Sequence, residues 1–529
     1  MNIAEFRNEP PIDFSLPEER EQFLLALEQV REKARVGEYS AAPIIGGELL
    51  STAKVAKSEN PSNPEESIGK VHFADEALAL QAITSLQGGL EEWEALGFQR
   101  RAEIIAYAGE LMRQKRRELA ALMVLEAGKP WGEADADVCE AIDFCDYYAK
   151  CALGLSTPTH LMPYLNGELN HYSYSARGVA VVISPWNFPL AIATGMTVAS
   201  LVCGNATVLK PAEQTSLIAA ELATILREAG VHDSAFSFLP GIGEEIGPVL
   251  VGHPGVHLLC FTGSRAVGLE ILQRSAVVGE GQRHIKKVIL ELGGKNAIIV
   301  DDDADIDDAI KGVLYSAFGF AGQKCSACSR VIVLQDAYER FVERLCQAAN
   351  DLIIAPAEQP ETFVGPLIDQ ESQQRVLNLV RERQNSLSLA LSSECPDTGY
   401  FVPITIFRDV PADDPLWREE AFAPVLCVAP ATSFEEALQM ANDSDYALTG
   451  GVFSRSPSHL AQARRELQVG NLYLNRSITG AIVGRQPFGG FRLSGVGSKA
   501  GGADYLLQFV EPRSITENTM RKGFTPELA

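Results

Sequence analysis

The residues with the most chemical potential lie in GFAGQKCSACSR (319–330), where Cys325 and Cys328 stand three apart behind a run of small side chains. Three readings fit such a pair: a thiolate nucleophile, half of a redox or metal couple, or thiols buried in a core. A metal site requires further Cys or His at ligand spacing, and none of the eight histidines falls nearby, so no metal is expected. A thioredoxin-type pair opens a helix after a strand early in a small βαβ unit, which this context does not match. A nucleophile requires small neighbours for access, an oxyanion donor and a base. Cys325 has the small neighbours, and Asn187 in SPWNFP and Glu291 in ELGGKN are candidates for donor and base. Glu291 follows the apolar run VIL and precedes a Gly-Gly turn. Buried there, an acid has a raised pKa, which suits a general base working near neutral pH. On local sequence alone, core cysteine, nucleophile and, as the least favoured, a redox or metal pair with Cys328 all remain open, and Glu291 reads equally well as a turn residue.

Three further stretches offer contacts to a ligand. GIGEEIG (241–247) follows a strand, but its G-x-G-x-x-x-G spacing is one residue longer than the dinucleotide fingerprint. FTGSRAVG puts Gly263 and Ser264 between a strand end and a helix start. Small residues there let a ligand approach backbone N–H groups at the positive end of the helix dipole; a plain βα turn is the alternative. VLKPAEQT places Lys210 and Glu213 at the end of a strand, the edge where open α/β sheets bind ligands. Such a pair suits the hydroxyls of a ribose, or forms a surface ion pair.

Positioning these residues requires strands that end near one another. Residues 178–209 carry no charge, yet Pro185, Asn187, Pro189, Gly195, Gly204 and Asn205 divide them, so a membrane span is not expected. The pattern predicts a strand over Val179–Ser184, a buried helix over about Leu190–Cys203 and a strand over Thr207–Lys210. From Gly178 onward, short apolar runs (VAVVI, ATVLK, AFSFLP, VHLLCFTG, KKVILELGG) alternate with helical stretches. A second alternating region starts near Lys295. Strand–helix alternation with short connections predicts an α/β chain of two lobes with parallel sheets. Before them, residues 1–45 read as helices joined by polar turns, with Ser15 as a cap. IIGGELL reads as a short β-like start, SENPSNPEES as a loop, and residues 74–152 as a helical block.

The length of 529 residues predicts two to four domains. A net charge of −24 argues against a nucleic-acid face, and the basic run Lys115–Arg117 reads as a solvated helix face. Ten scattered cysteines, many among apolar neighbours, predict reduced thiols in the cytoplasm. The opening MNIAEFRNEPPIDFSLPEER has no apolar targeting segment, and the tail TENTMRKGFTPELA reads as polar and loosely held.

SPWNFP, LKPAEQT, FTGS, LELGGKN, GQKCSA, REEAFAPV and PFGGFRLSG, in this order and spacing, resemble the aldehyde dehydrogenase superfamily from about Pro43 to the end. FRNEPPIDFS, GQKCSACSR, NRSITGAIVGRQPFGGF, GSKAGGADYL and TENTMRKGF are similar to its L-glutamate γ-semialdehyde (1-pyrroline-5-carboxylate) dehydrogenase branch. The resemblance implies an N-terminal extension (1–45), an NAD-binding domain (46–152 and 176–290), a catalytic domain (291–480) and an oligomerisation flap (153–175 and 500–529). It implies Cys325 as nucleophile, Glu291 as the acid that activates water, and Asn187 with the Cys325 N–H as oxyanion hole. Lys210 and Glu213 would meet the adenosine ribose of NAD, and Gly243, Gly263 and Ser264 would line the cofactor site. Glu420 and Phe422 would take the nicotinamide ribose. In the semialdehyde branch, Ser326, Gly480 and Ala481 would hold the substrate carboxylate, with Phe188 and Phe488 flanking its chain. The implied activity is oxidation of glutamate γ-semialdehyde to glutamate through a thiohemiacetal and a thioester, in proline degradation. Implied partners are a second copy of the chain, as a homodimer or higher homo-oligomer, and a separate proline dehydrogenase. The alternatives are a dehydrogenase for another aldehyde or ω-semialdehyde, or a non-catalytic scaffold on the same fold. One departure from the superfamily pattern is Ala423, where Gly is usual.

Overall fold

The computed structural model describes residues 5–156 and 167–520. Two separate sheets organise the chain. The first has eight strands in the order Gly495–Val496, Lys287–Glu291, Val256–Thr262, Val179–Ile183, Ala206–Lys210, Phe236–Phe238, Ile44–Ile45 and Glu48–Leu49. Its central five strands run parallel. The run Ala-Val-Val that buries Val179–Val182 on both faces explains the absence of polar alternation there. Strand order reverses between Val179–Ile183 and Val256–Thr262, so the crevice at their carboxyl ends is the topological switch point where such sheets bind ligands. The helix Ala191–Val202 and the strand Ala206–Lys210 follow within a residue or two of expectation.

The second sheet has seven strands, ordered Ser388–Ser392, Thr405–Arg408, Val425–Ala431, Cys328–Leu334, Asn296–Val300, Thr449–Phe453 and Asn471–Leu474. All but the first edge strand are parallel. Each sheet has its own apolar core: one around Val182, Leu209 and Phe236, the other around Ile298, Ile332 and Val428. The two-lobed α/β expectation therefore holds. The helical block is four helices, Glu76–Ala95, Gly97–Gln114, Arg116–Ala127 and Trp131–Leu155.

Several local expectations change. Residues 1–45 contain one described helix, Pro17–Val36, which buries Phe23, Ala26, Leu27 and Val30 on one face. Its cap position is Leu16 with Pro17 in the first turn, so Ser15 does not cap it: proline needs no N–H partner there. SENPSNPEES is no loop but part of the antiparallel pair Val55–Asn60 and Asn63–His72, where pairing overrides the poor β-propensity of Asn and Pro. Lys115–Arg117 is only in part a solvated face. Lys115 marks the break between two helices, Arg116 pairs with Asp135 at 2.7 Å, and Arg117 pairs with Glu19 at 2.7 Å.

The strand pair in the expected flap is Glu168–Ala176 against Val510–Asn518, antiparallel and joined to no other sheet. Residues 153–155 complete the helix before it, and Tyr505, Leu506 and Phe509 pack into the first lobe's core rather than the flap. Thr516–Asn518 of the supposedly loose tail lie in this pair, while 157–166 and 521–529 fall outside the described residues. No helix among the described residues is long and apolar enough to cross a membrane.

Candidate active site

Four parallel strands of the first sheet end in register: Lys210 opposite Ile183, Phe261 opposite Ile183, and Thr262 opposite Glu291. With strands about 4.8 Å apart, Lys210 and Glu291 end strands roughly 14 Å apart on one edge. Asn187 sits in the loop after Val179–Ile183, between them. The backbone crosses directly from Glu291 through Gly293–Gly294 to an inner strand of the second sheet, Asn296–Val300. The next strand, Cys328–Leu334, begins just after Cys325. The candidate nucleophile and base thus lie where the two sheets meet.

The Cys325 loop is built under strain. Phe320, Ala321 and Gly322 are all left-handed, with φ of 51°, 54° and 68°. A non-glycine residue in that region costs about 1 kcal/mol or more, and surrounding contacts must hold it there. Glycine is required at 322 for a second reason, since a Cβ would lie 2.4 Å from the Ala423 carbonyl oxygen.

Three side chains then grip the following carbonyls. Asn187 Nδ2 donates to Gln323 O at 3.0 Å. Asn296 Nδ2 donates to Cys325 O at 2.7 Å and Ala327 O at 2.9 Å, and Thr449 Oγ1 donates to Ser326 O at 3.1 Å. Lys324 pairs with Glu133 at 2.6 Å. Cys328 opens its strand inside the second core and donates from Sγ to Arg330 O at 3.4 Å, so its side chain belongs to packing.

Asn187 is itself fixed from three sides. Its Oδ1 accepts from Phe188 N at 3.1 Å, and its carbonyl accepts from Lys129 Nζ at 2.8 Å. Lys129 pairs with Asp137 at 2.9 Å, both side chains fully buried, and lies 4.0 Å from the Phe188 ring centre and 4.6 Å from that of Phe320. A desolvated pair of this kind is strongly destabilising to break, so it anchors the floor of the site.

The electrostatics are dominated by burial. Glu291 is pushed up to about 8 by burial, with the Gly490 N–H and Lys499 opposing, and its Oε2 has no partner. Glu420 is pushed up to about 7 by burial, although its Oε1 accepts from Gly294 N at 2.9 Å. Burial, then the Glu420 and Glu291 carboxylates, push the Cys325 thiol well above its ordinary value. Sequence reasoning missed Glu140, which shares a helix face with Glu133 and Asp137 and is pushed up to about 8 by burial. Acids at helical spacing on an otherwise apolar face were the available signal. It also missed Lys129 and Thr449, for which no local pattern exists, and Asn296, which closes the ELGGKN stretch.

Among the ligand-contact candidates, Lys210 Nζ lies 3.1 Å from Glu213 Oε1, which also accepts from Gly243 N at 2.6 Å. These three are therefore brought together, with Gly243 starting the helix Gly243–Gly252. Ser264 caps the helix Arg265–Ser275 through Val267 N, and Gly263 N donates to Glu291 O at 3.1 Å. Phe422 is left-handed at φ 52° and stands edge-on to Trp186 at 5.5 Å. Ala423 is buried, and its backbone carbonyl lies against Gly322 of the Cys325 loop. Ser326 is buried, whereas Gly480 is exposed at φ 74° and Ala481 half-buried. No hydrogen bond joins either to Ser326 among the described residues. Phe488 pairs with Ala500 through two 2.8 Å backbone bonds.

Two largely parallel sheets thus meet where a thiol, a protonatable acid and a carboxamide lie, in a two-lobed α/β chain. The chain belongs to the aldehyde dehydrogenase family, whose profile matches residues 50–515. It is 43% identical over 519 residues to the 1-pyrroline-5-carboxylate dehydrogenase of Geobacillus thermodenitrificans, covering 97% of this chain and 99% of that protein. It is 42% identical over 516 residues to 1-pyrroline-5-carboxylate dehydrogenase 2 of Bacillus subtilis, covering 97% and 99%. The solved structure of the Thermus 1-pyrroline-5-carboxylate dehydrogenase with bound NAD superposes with a TM-score of 0.95 at 44% identity, covering 98% of this chain and 100% of that one. Proline utilization A from Bdellovibrio bacteriovorus gives a TM-score of 0.96 at 47% identity. This chain is covered to 99% there but spans only 54% of that protein.

Proposed function

We propose that the protein oxidises L-glutamate γ-semialdehyde, the open form of 1-pyrroline-5-carboxylate, to L-glutamate with NAD+ as acceptor. The observation that carries this reading is the Cys325–Glu291–Asn187 cluster in a chain similar end to end to 1-pyrroline-5-carboxylate dehydrogenases.

The residues at the switch point suit NAD. Lys210 and Glu213 offer a cation and a carboxylate for a ribose diol, and two helix starts, at Gly243 and Arg265, present N–H groups to a diphosphate. When bound, NAD+ supplies the hydride acceptor. As the thiolate, Cys325 Sγ attacks the aldehyde carbon and makes it tetrahedral. Asn187 Nδ2 has one N–H committed to Gln323 O and a second for the oxyanion, beside the Cys325 N–H. Preorganised donors of this kind are worth ~3–4 kcal/mol each. Once the Cys325 thioester has formed, Glu291 takes a proton from water, which hydrolyses it and frees Cys325. Ser326, Gly480 and Ala481 hold the substrate carboxylate, and Phe188 and Phe488 flank its chain. A site built to bind a carboxylate rejects aldehydes lacking one more strongly than an apolar pocket does.

Ten free cysteines support a place in the reducing cytoplasm. The unattached strand pair Glu168–Ala176 and Val510–Asn518 supports assembly as a homodimer or larger homo-oligomer, since unpaired edges seek partners. The similarity to half of proline utilization A supports a separate proline dehydrogenase as the source of substrate. The test is NADH production with pyrroline-5-carboxylate beside propanal and hexanal. A strong preference for the carboxylate-bearing substrate is expected; equal turnover of the plain aldehydes overturns the substrate assignment.

A further inference from the structure

We infer that the N-terminal arm, residues 5–14, positions the loop carrying Gly480 and Ala481, and that Asn8 is the positioning residue that ties the two together. Gly480 and Ala481 make no hydrogen bond of their own among the described residues, so their placement depends on how the chain just beyond them is held. Asn8 Nδ2 uses both its hydrogens there: one to Val483 O at 2.8 Å, the other to Asp143 Oδ2 at 2.8 Å. Glu9 N donates to the other Asp143 oxygen at 2.7 Å. Next to this bond, Gly484 is left-handed at φ 74°, and a Cβ there would lie 3.1 Å from both Phe6 Cε1 and Tyr147 Cε2. Phe6 and Tyr147 meet edge to face at 4.9 Å.

The arm is held firmly enough to act as a reference. Arg113 pairs with Glu9 at 2.7 Å, Arg116 donates to Pro10 O at 2.8 Å, and Ile12 N donates to the buried Asp135 at 2.8 Å. Asp135 and Asp143 belong to the same helix as Glu133, Asp137 and Glu140, which floors the Cys325 site. Asn8 therefore links the anchoring loop to the element that also supports the nucleophile. Backbone N–H groups that recognise a carboxylate must be held to within about half an ångström of their productive place. Loosening Val483 should therefore weaken recognition of that carboxylate more than it slows chemistry.

This inference rests on the assignment of Gly480 and Ala481 to the substrate carboxylate. The test measures KM and kcat of the wild type, Asn8→Ala and Phe6→Ala with pyrroline-5-carboxylate and with propanal, together with Tm and the NAD+ dissociation constant by fluorescence quenching. Expected is a KM for the carboxylate substrate raised about fivefold, the equivalent of one net hydrogen bond, with kcat, propanal KM and NAD+ affinity unchanged. A fall in Tm with the KM ratio unchanged, or equal losses on both aldehydes, overturns the positioning role. If the wild type itself shows no preference for the carboxylate substrate, the underlying substrate reading fails and takes this inference with it. A preserved wild-type preference that the variants share overturns the inference alone.

Discussion

Asn187 donates to the Gln323 carbonyl at 3.0 Å, so a loop of the first lobe clamps the chain two residues before Cys325 in the second. The carboxamide that ties the lobes is the one proposed above as the oxyanion donor. Its orientation is set by the buried Lys129–Asp137 pair behind it.

Asn187→Ala should lower kcat by about 10²–10³-fold, the usual loss on removing an oxyanion donor, with NAD+ affinity retained. Steady-state kinetics alongside cofactor titration measure both. A loss below tenfold would argue that the Cys325 N–H acts alone.

Cys325→Ala should abolish turnover and acyl-enzyme formation, the latter read by intact mass spectrometry after a substrate pulse. Cys328→Ser should keep activity and lose stability by about 1–3 kcal/mol, because a hydroxyl is buried among apolar side chains. Activity lost equally in both variants would put Cys328 in the chemistry.

Glu291 accepts a proton only when ionised, and burial pushes it up to about 8. The rate of thioester hydrolysis should therefore rise with pH and level off above about 8. Glu291→Gln should slow hydrolysis and flatten the profile; the same inflection in that variant would assign it to another group.

Glu126 is fully buried and accepts from Leu217 N at 2.8 Å and Ile218 N at 2.9 Å, yet burial pushes it up to about 8. Its folded pKa lies above the unfolded value near 4.3, so the fold favours the protonated form. That contribution is complete below the unfolded pKa and is lost as pH rises through about 8. Glu126→Gln removes this titration. The Tm difference between variant and wild type should therefore shift in the variant's favour as pH rises. A difference independent of pH would show that Glu126 is ionised throughout.

Glu213 should repel the 2′-phosphate of NADP, so the wild type should prefer NAD. Glu213→Ala should narrow the ratio of kcat/KM for the two cofactors, mainly by improving NADP. An unchanged ratio would move the discrimination elsewhere, and a wild type that prefers NADP would reverse the assignment.

Much of the protein was set by short-range pattern. Apolar runs four to seven residues long are strands because both faces are buried, and the alternation of such runs with helices determines a two-lobed parallel α/β chain. Asn187, Lys210, Glu213 and Glu291 could be picked out because each lies at or just beyond the end of such a run, and Cys325 because it follows a run of small residues. Tertiary structure alone decided which ends meet. The reversal of strand order beside Val179–Ile183, the grip of Asn296 and Thr449 on the Cys325 loop, and the Asn8–Val483 bond across the chain all join residues far apart in sequence. The left-handed turn at Phe320–Ala321 likewise runs against local preference and persists because distant contacts hold it. Periodicity over a few residues encodes which face of an element is buried. It carries no information about which buried faces will pack together, and the raised pKa of Glu291 follows from that packing.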